Sequence, residues 1–82
     1  MPVLDVYSRQ GCHLCEVLIE ALLDLVRDRA QVVVHDIDTR EDWRETYDVR
    51  VPVVELDGAP ICEYQLDRDA VNRALAQVAD AQ

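Results

Sequence analysis

The chain has 82 residues, of which 50% are apolar, and it carries a formal net charge of −9 at pH 7. A chain this short builds one modest core, so we expect residues 1–82 to form a single domain. The acidic balance argues against nucleic acid and anionic membranes as partners, because both bind basic surfaces. No run reaches the ~18 apolar residues of a membrane span and the first residues do not resemble a signal peptide, so we expect a cytoplasmic protein.

The first predicted elements are a strand over Val3–Tyr7 and a helix from Cys12 to about Arg29. The strand is a short apolar run that contains β-branched residues. The helix is indicated by apolar residues at the spacing of one helix face, with further residues that widen the face. The face comprises Leu14, Val17, Leu18, Ala21, Leu22, Leu25 and Val26, and it is widened by Ile19 and Leu23.

Two cysteines, Cys12 and Cys15, stand at the start of this helix. Helix N-termini favour an anion, and both this position and a Cys-X-X-Cys motif lower a thiol pKa from ~8.5 to about 3.5–7.5. Cys15 lies one turn further on, where it can form or open a disulfide with Cys12. The pattern predicts thiol–disulfide chemistry. Two alternatives stay open: zinc or an iron–sulfur cluster held by the thiolates, and a redox-fold adaptor without turnover.

Charged residues near the cysteines are candidates for substrate binding. All eight basic residues are arginine, and Arg9 and Arg50 fall in loops that we expect near Cys12. Either could bind a substrate carboxylate and favour the Cys12 thiolate, or be ordinary solvated charge. His13 could stabilise the thiolate as imidazolium, or be an exposed histidine without a role.

A second strand is predicted over Gln31–Ile37, where three valines follow one another. Such a run is typical of a buried strand, and a strand–helix–strand order implies a parallel pair with a right-handed crossover. We interpret His35 in this strand as a packing residue. Its predicted position offers no visible ligand partner.

A short helix should follow and end before Val51, because the residue before a proline disfavours helical backbone. Trp43 and Tyr47 lie one turn apart on its packed side. The predicted capping box has Asp38 or Thr39 as N-cap and Glu41 or Asp42 three residues later. This acidic stretch lacks the glycine and spacing of a calcium loop, so we interpret it as capping and solvation.

A hairpin is predicted next, with Pro52–Leu56 and Ala59–Cys62 as its arms and Asp57-Gly58 as its turn. Pro60 cannot donate to a strand ladder, so the second arm should be an edge strand. Cys62 in that arm could be a third redox or metal thiol, but we interpret it as a small buried apolar residue.

The last predicted helix is capped by Asp67, with Leu66 placed against its first turn. Its apolar face comprises Val71, Ala74, Leu75 and Val78. The element order is therefore β-α-β-α-β-β-α, and helices must cover both faces of the sheet to bury it.

Two segments, Tyr7–Cys15 at the end of the first strand and Arg50–Pro52 before the hairpin, resemble those of a glutaredoxin-like protein of the thioredoxin superfamily. The resemblance implies an α/β, thioredoxin-like (glutaredoxin-type) fold with a four-stranded mixed sheet of order 2-1-3-4. It also implies a cis peptide bond between Val51 and Pro52 that faces the dithiol.

The resemblance further implies the roles of the site residues. Cys12 is the nucleophile and Cys15 the resolving thiol, while the main chain of Val51, beside Pro52, pairs with the substrate. Arg9 takes the place of a lysine that binds glutathione in the family. We expect no bound metal and no tightly bound cofactor, with glutathione as a candidate co-substrate. The expected partners are protein disulfides or glutathione mixed disulfides, and the expected state is a monomer.

Two stretches depart from the family pattern. His13-Leu14 stands between the cysteines where glutaredoxins typically have Pro-Tyr. The stretch Cys62–Asp67 lacks the Gly-Gly that binds the γ-glutamyl end of glutathione, and only Asp67 matches loosely. The dithiol chemistry does not depend on either stretch.

Overall fold

The computed structural model describes residues 1–80, so the last two residues of the predicted domain lie outside the described residues. The elements follow one another as predicted, β-α-β-α-β-β-α, with two short 3₁₀ turns added. They are β1 (Val3–Ser8), α1 (His13–Val26), a 3₁₀ turn (Arg27–Arg29), β2 (Gln31–Asp36), a second 3₁₀ turn (Ile37–Thr39), α2 (Glu41–Tyr47), β3 (Val53–Leu56), β4 (Ala59–Glu63) and α3 (Arg68–Asp80).

The strands form one mixed sheet in the order β2-β1-β3-β4, which confirms the predicted fold. β1 is parallel to β2, with Tyr7 opposite His35, and antiparallel to β3, with Tyr7 opposite Val53. β3 is antiparallel to β4, with Val53 opposite Glu63. One end of the sheet therefore gathers the segments that follow β1, β2 and β4 and the segment that precedes β3. We call this the site end.

The main core lies between one face of the sheet and the helices α1 and α3. It is built from strand residues such as Leu4, Val6 and Val54, which are fully buried, and from the inner faces of the two helices. A smaller cluster of Ile37, Tyr47 and Val53 lies on the opposite face under α2. Each buried side chain of this size contributes about 1.5–3 kcal/mol of transfer free energy, so both helix layers stabilise the sheet.

The packed face of α1 differs from the prediction. The buried side chains are Cys15, Leu18, Leu22 and Val26. Leu14, Val17 and Leu23 were predicted to pack but are 52%, 50% and 50% exposed. The buried residues start at Cys15 and recur every three or four positions along one side of the helix. Leu14, Val17 and Leu23 lie beside this buried side.

The prediction that β2 is buried is also wrong. β2 has a single neighbour in the sheet, and Val33 and Val34 are 40% and 47% exposed. A run of β-branched residues is typical of strands in general, and position in the sheet decides how much of the run is covered.

The predicted capping box of α2 is not formed, because a 3₁₀ turn intervenes. Asp36 caps that turn by accepting a hydrogen bond from the Asp38 amide at 2.9 Å, and the Thr39 hydroxyl donates to the Asp36 carbonyl at 2.7 Å. The N-cap of α2 is Arg40, whose side chain makes no capping bond. α2 ends at Tyr47, before Val51, as predicted.

The C-terminal half follows the prediction. Asp57 and Gly58 have φ values of 52° and 80°, the left-handed pair that a tight hairpin turn requires. Pro60 lies in β4, which is an edge strand. The Asp67 carboxylate accepts a hydrogen bond from the Ala70 amide at 3.0 Å and so caps α3. Within residues 1–80, no helix is long and apolar enough to cross a membrane.

Candidate dithiol site

Cys12 is the N-cap residue of α1. Gly11, at a φ of 77°, turns the chain after β1 so that Cys12 is extended and the helix begins at the next residue. The Cys12 Sγ accepts a hydrogen bond from the Cys15 amide at 3.1 Å. The sulfur thus takes the place of the oxygen that usually satisfies a free N–H group at a helix start, where negative charge is favoured.

Cys15 lies one helical turn beyond Cys12 and is almost completely buried, with 1% of its surface exposed. The two Cα atoms are 5.2 Å apart, and the Cys12 and Cys15 sulfurs are within disulfide-bonding distance. Cys12 is half-buried. A partner approaching from solvent therefore reaches Cys12 first, and Cys15 is placed to react with Cys12.

Arg9, in the loop after β1, is held by two carboxylates. Its guanidinium makes two hydrogen bonds of 3.1 Å to Asp38 and one of 3.1 Å to the Asp48 carboxylate. Hydrogen bonds to Asp38 and then Asp48 raise the pKa of Arg9. The side chain ties the loop to the 3₁₀ turn after β2 and to the end of α2.

Arg50 lies at the same end of the sheet and is also paired. Its Nε donates to the Glu63 carboxylate at 2.9 Å, and its guanidinium lies 5.5 Å from the centre of the Tyr47 ring. The bond to Glu63 raises the pKa of Arg50. Among the side-chain hydrogen bonds and ion pairs of residues 1–80, none joins either guanidinium to Cys12. The backbone of Arg9 does contact Cys12, since its carbonyl accepts a hydrogen bond from the Cys12 amide at 3.3 Å.

The other predicted site residues, His13 after β1 and Val51–Pro52 before β3, lie at the site end of the sheet. His13 is 86% exposed, and its Nδ1 is 4.0 Å from the Glu16 carboxylate. The Val51–Pro52 peptide is cis, as the resemblance implied. Pro52 is buried and its carbonyl accepts from the Tyr64 amide at 2.9 Å. The backbone hydrogen bonds of residues 1–80 include none from the amide or to the carbonyl of half-buried Val51.

The prediction missed a polar cluster on the α2 face of the sheet. His35 Nε2 is 2.8 Å from the Asp5 carboxylate, so His35 has a partner as well as a packing role. The Tyr47 hydroxyl donates to buried Glu55 at 2.8 Å, and Tyr7 stacks against both the His35 and the Tyr47 rings. Asp5 and Glu55 face each other across β1 and β3. Like charges opposite one another need compensating partners, which His35 and Tyr47 supply here. The sequence alone gives no signal for this cluster, because it does not specify the strand register.

Cys62 was predicted to be buried, and the structure shows it packed but only half-buried. It lies in β4 and packs against the main core. Burial raises the pKa of its thiol, so Cys62 remains protonated at neutral pH.

Comparisons with known proteins agree with this architecture. A family model described as "Glutaredoxin-like domain (DUF836)" matches residues 3–76. A solved structural-genomics target protein from X. campestris is 28% identical with a TM-score of 0.70, over 90% of this chain and 96% of that one. A mutant thioredoxin from Halobacterium salinarum is 27% identical with a TM-score of 0.64, over 93% of this chain and 73% of that one. No curated protein matches the sequence.

Proposed function

The chain belongs to the glutaredoxin-like domain family (DUF836), and on that basis we propose that it is a thiol–disulfide oxidoreductase. Its substrates in this proposal are protein disulfides or glutathione mixed disulfides. The observation that carries the proposal is the pairing of a half-exposed Cys12 at the mouth of α1 with a buried Cys15 one turn behind it.

The first step uses the reduced protein. The Cys12 thiolate attacks one sulfur of the partner disulfide, so that a Cys12–partner bond forms, the partner's own S–S bond breaks and one partner thiolate leaves. The amide dipoles at the start of α1 favour the anionic sulfur that makes this attack. The hydrogen bond from the Cys15 amide points at the same sulfur.

The second step releases the reduced partner. Cys15 loses its proton and attacks the Cys12 sulfur of the mixed disulfide, which forms the Cys12–Cys15 bond and expels the second partner thiolate. The partner has then gained two electrons and the protein has lost two. An external thiol reductant returns the protein to the dithiol, and glutathione is a candidate for that role.

Val51 and Pro52 are proposed to hold the partner beside the dithiol. The main-chain groups of Val51 make no backbone hydrogen bond among residues 1–80 and are available to pair with an extended segment. Pro52 is buried, and its carbonyl accepts a hydrogen bond from the Tyr64 amide. Both features fix the conformation of the Val51–Pro52 segment.

Substitution of each cysteine tests the proposal. We expect Cys12→Ser to abolish reduction of a protein disulfide, because no other described thiol lies at the helix mouth. We expect Cys15→Ser to accumulate a covalent adduct with the partner through Cys12, detected by mass spectrometry without reductant. Cys62→Ser is the matched control and should keep the activity of the unmodified chain. Equal activity in the Cys12 variant would contradict the assignment.

The two alternatives give different results. A metal or iron–sulfur role predicts colour or stoichiometric metal after anaerobic purification, lost in the Cys12 and Cys15 variants alike. An adaptor role predicts partner binding without an adduct in Cys15→Ser.

A further inference from the structure

Several apolar side chains are exposed at the site end of the molecule. Leu14 and Val17 in the first turns of α1 are 52% and 50% exposed. Val49, before Pro52, and Tyr64, after β4, are 76% and 46% exposed, and the Tyr64 hydroxyl donates to the Val49 carbonyl at 2.6 Å. Exposed large apolar side chains at one end of a molecule are candidates for contact with a protein partner.

The same end is acidic. Segments 8–16, 36–40, 48–52 and 63–67 together hold six carboxylates and three arginines, a formal charge of −3 with His13 neutral. All three arginines are engaged by carboxylates: Arg9 by Asp38 and Asp48, Arg40 by Asp42, and Arg50 by Glu63. A bound anion would therefore have to compete with these intramolecular pairs for each guanidinium.

A groove beside Cys15 provides a place for a cationic side chain. It lies between the loop after β1, the start of α1 and the outer edge of β2, and has a volume of about 250 Å³. Ile19 and Val34 supply apolar walls, and Glu16 and Asp36 supply carboxylates, although one Asp36 oxygen already accepts from the Asp38 amide. Lysine and arginine side chains bury an aliphatic stem while keeping a charged head against such groups. Arg9 also lines the groove, but Asp38 and Asp48 hold its guanidinium.

From these observations we propose that the dithiol selects protein disulfides flanked by basic and apolar residues. A lysine or arginine of the partner enters the groove beside Cys15 while apolar partner residues cover Leu14 and Val17. Oxidised glutathione, a small anion without apolar side chains, is a poor substrate. This inference rests on the proposed function and names its substrate class.

Rates with matched substrates test the inference. The reduced protein is mixed with three peptides that share one disulfide and one leucine and differ only in lysine, glutamine or glutamate flanks. Oxidised glutathione is a fourth substrate. We expect the lysine peptide to react at least about tenfold faster than the glutamate peptide at low salt, because attraction between opposite charges raises encounter rates. At ~1 M salt the difference should largely vanish, because the screening length falls to ~3 Å.

Two substitutions in α1 distinguish the effect of a charge in the groove from the effect of the net charge of the protein. Glu16→Gln and Asp24→Asn each remove one negative charge from the helix. Glu16 lines the groove, whereas Asp24 pairs with Arg27 near the other end of α1. We expect Glu16→Gln to lower the lysine-to-glutamate rate ratio about two- to fivefold, as expected for one nearby charge in water. Asp24→Asn should leave the ratio unchanged.

The outcomes distinguish this inference from the proposed function. If all peptides and oxidised glutathione react at equal rates, or oxidised glutathione reacts fastest, the substrate class is wrong and the oxidoreductase activity stands. If none of the four substrates reacts with the reduced protein, the proposed function itself fails, and the inference fails with it.

Discussion

Glu55 is a buried carboxyl group that needs a hydrogen-bond partner inside the fold. Glu55 lies in a central strand with 7% of its surface exposed, and the Tyr47 hydroxyl donates to it at 2.8 Å. A buried polar group without a partner costs about 1–3 kcal/mol in proteins, and a charged group costs more. Tyr47 therefore joins α2 to β3 through a bond as well as through packing.

Removal of the Tyr47 hydroxyl should destabilise the protein. We expect Tyr47→Phe to lower the free energy of unfolding by about 1–3 kcal/mol, measured by urea denaturation, because Glu55 loses its buried donor. Tyr64→Phe is the control, since its hydroxyl bond to Val49 is exposed, and it should change stability by less than about 0.5 kcal/mol. A Tyr47 variant as stable as the unmodified chain would contradict the assigned bond.

The same residue makes stability fall at alkaline pH. Burial and then the bond to Glu55 raise the pKa of Tyr47 above the ordinary value of 10.0. The folded state thus retains a proton that the unfolded state loses, so this contribution is complete below pH ~10 and is lost as pH rises further. Tyr47→Phe should show a smaller loss of stability above pH ~10. The variant should still lose some stability at alkaline pH, because burial also raises the pKa of Tyr7.

Individual contacts of this kind are the least predictable from sequence. Motif and resemblance predict that Arg9 lies beside the dithiol, and the motif puts the two cysteines at the helix start. The carboxylates that hold Arg9 come from positions 29 and 39 residues away along the chain. The pairing of His35 with Asp5 likewise depends on strand register, which a local pattern does not specify.

At the scale of elements, local signals determine where helices and strands begin. The cap of α3 is an example, because the Asp67 side chain satisfies the Ala70 amide at 3.0 Å. Asp67→Ala should lower the free energy of unfolding by about 0.5–2 kcal/mol, observed as a lower thermal midpoint. Asp69→Ala removes the same charge from the first turn without removing the cap, and should have a clearly smaller effect. Equal effects of the two substitutions would mean that charge rather than capping stabilises the start of α3.

Element type was predictable, and the extent of burial was not. The helical spacing predicts α1 correctly, but Leu14 and Val17 are exposed because they lie beside the buried side of the helix, not on it. β2 is a strand as its valines predict, and it is exposed because it lies at an edge. Both errors concern the arrangement of elements, which a local pattern does not contain.

At the scale of the whole molecule, the topology brings the reactive loop to one end of the sheet. β1 leads to Cys12, β2 ends before Ile37, β3 begins after Pro52 and β4 ends before Tyr64, so four connections meet at the site end. The resemblance predicted this arrangement because the order of strands follows from the family and not from periodicity. The acidic charge of the site end follows from the segments that the topology brings together there.

The most direct test of the account is the pH dependence of alkylation of reduced Cys12. Its rate with iodoacetamide, followed residue by residue with mass spectrometry, should reach half its maximum below pH ~8.5, within the range that helix starts and Cys-X-X-Cys motifs give. Cys15 and Cys62, both shielded, should react more slowly. A midpoint equal to that of the urea-unfolded chain, or modification of Cys15 before Cys12, would contradict a thiolate stabilised at the start of α1.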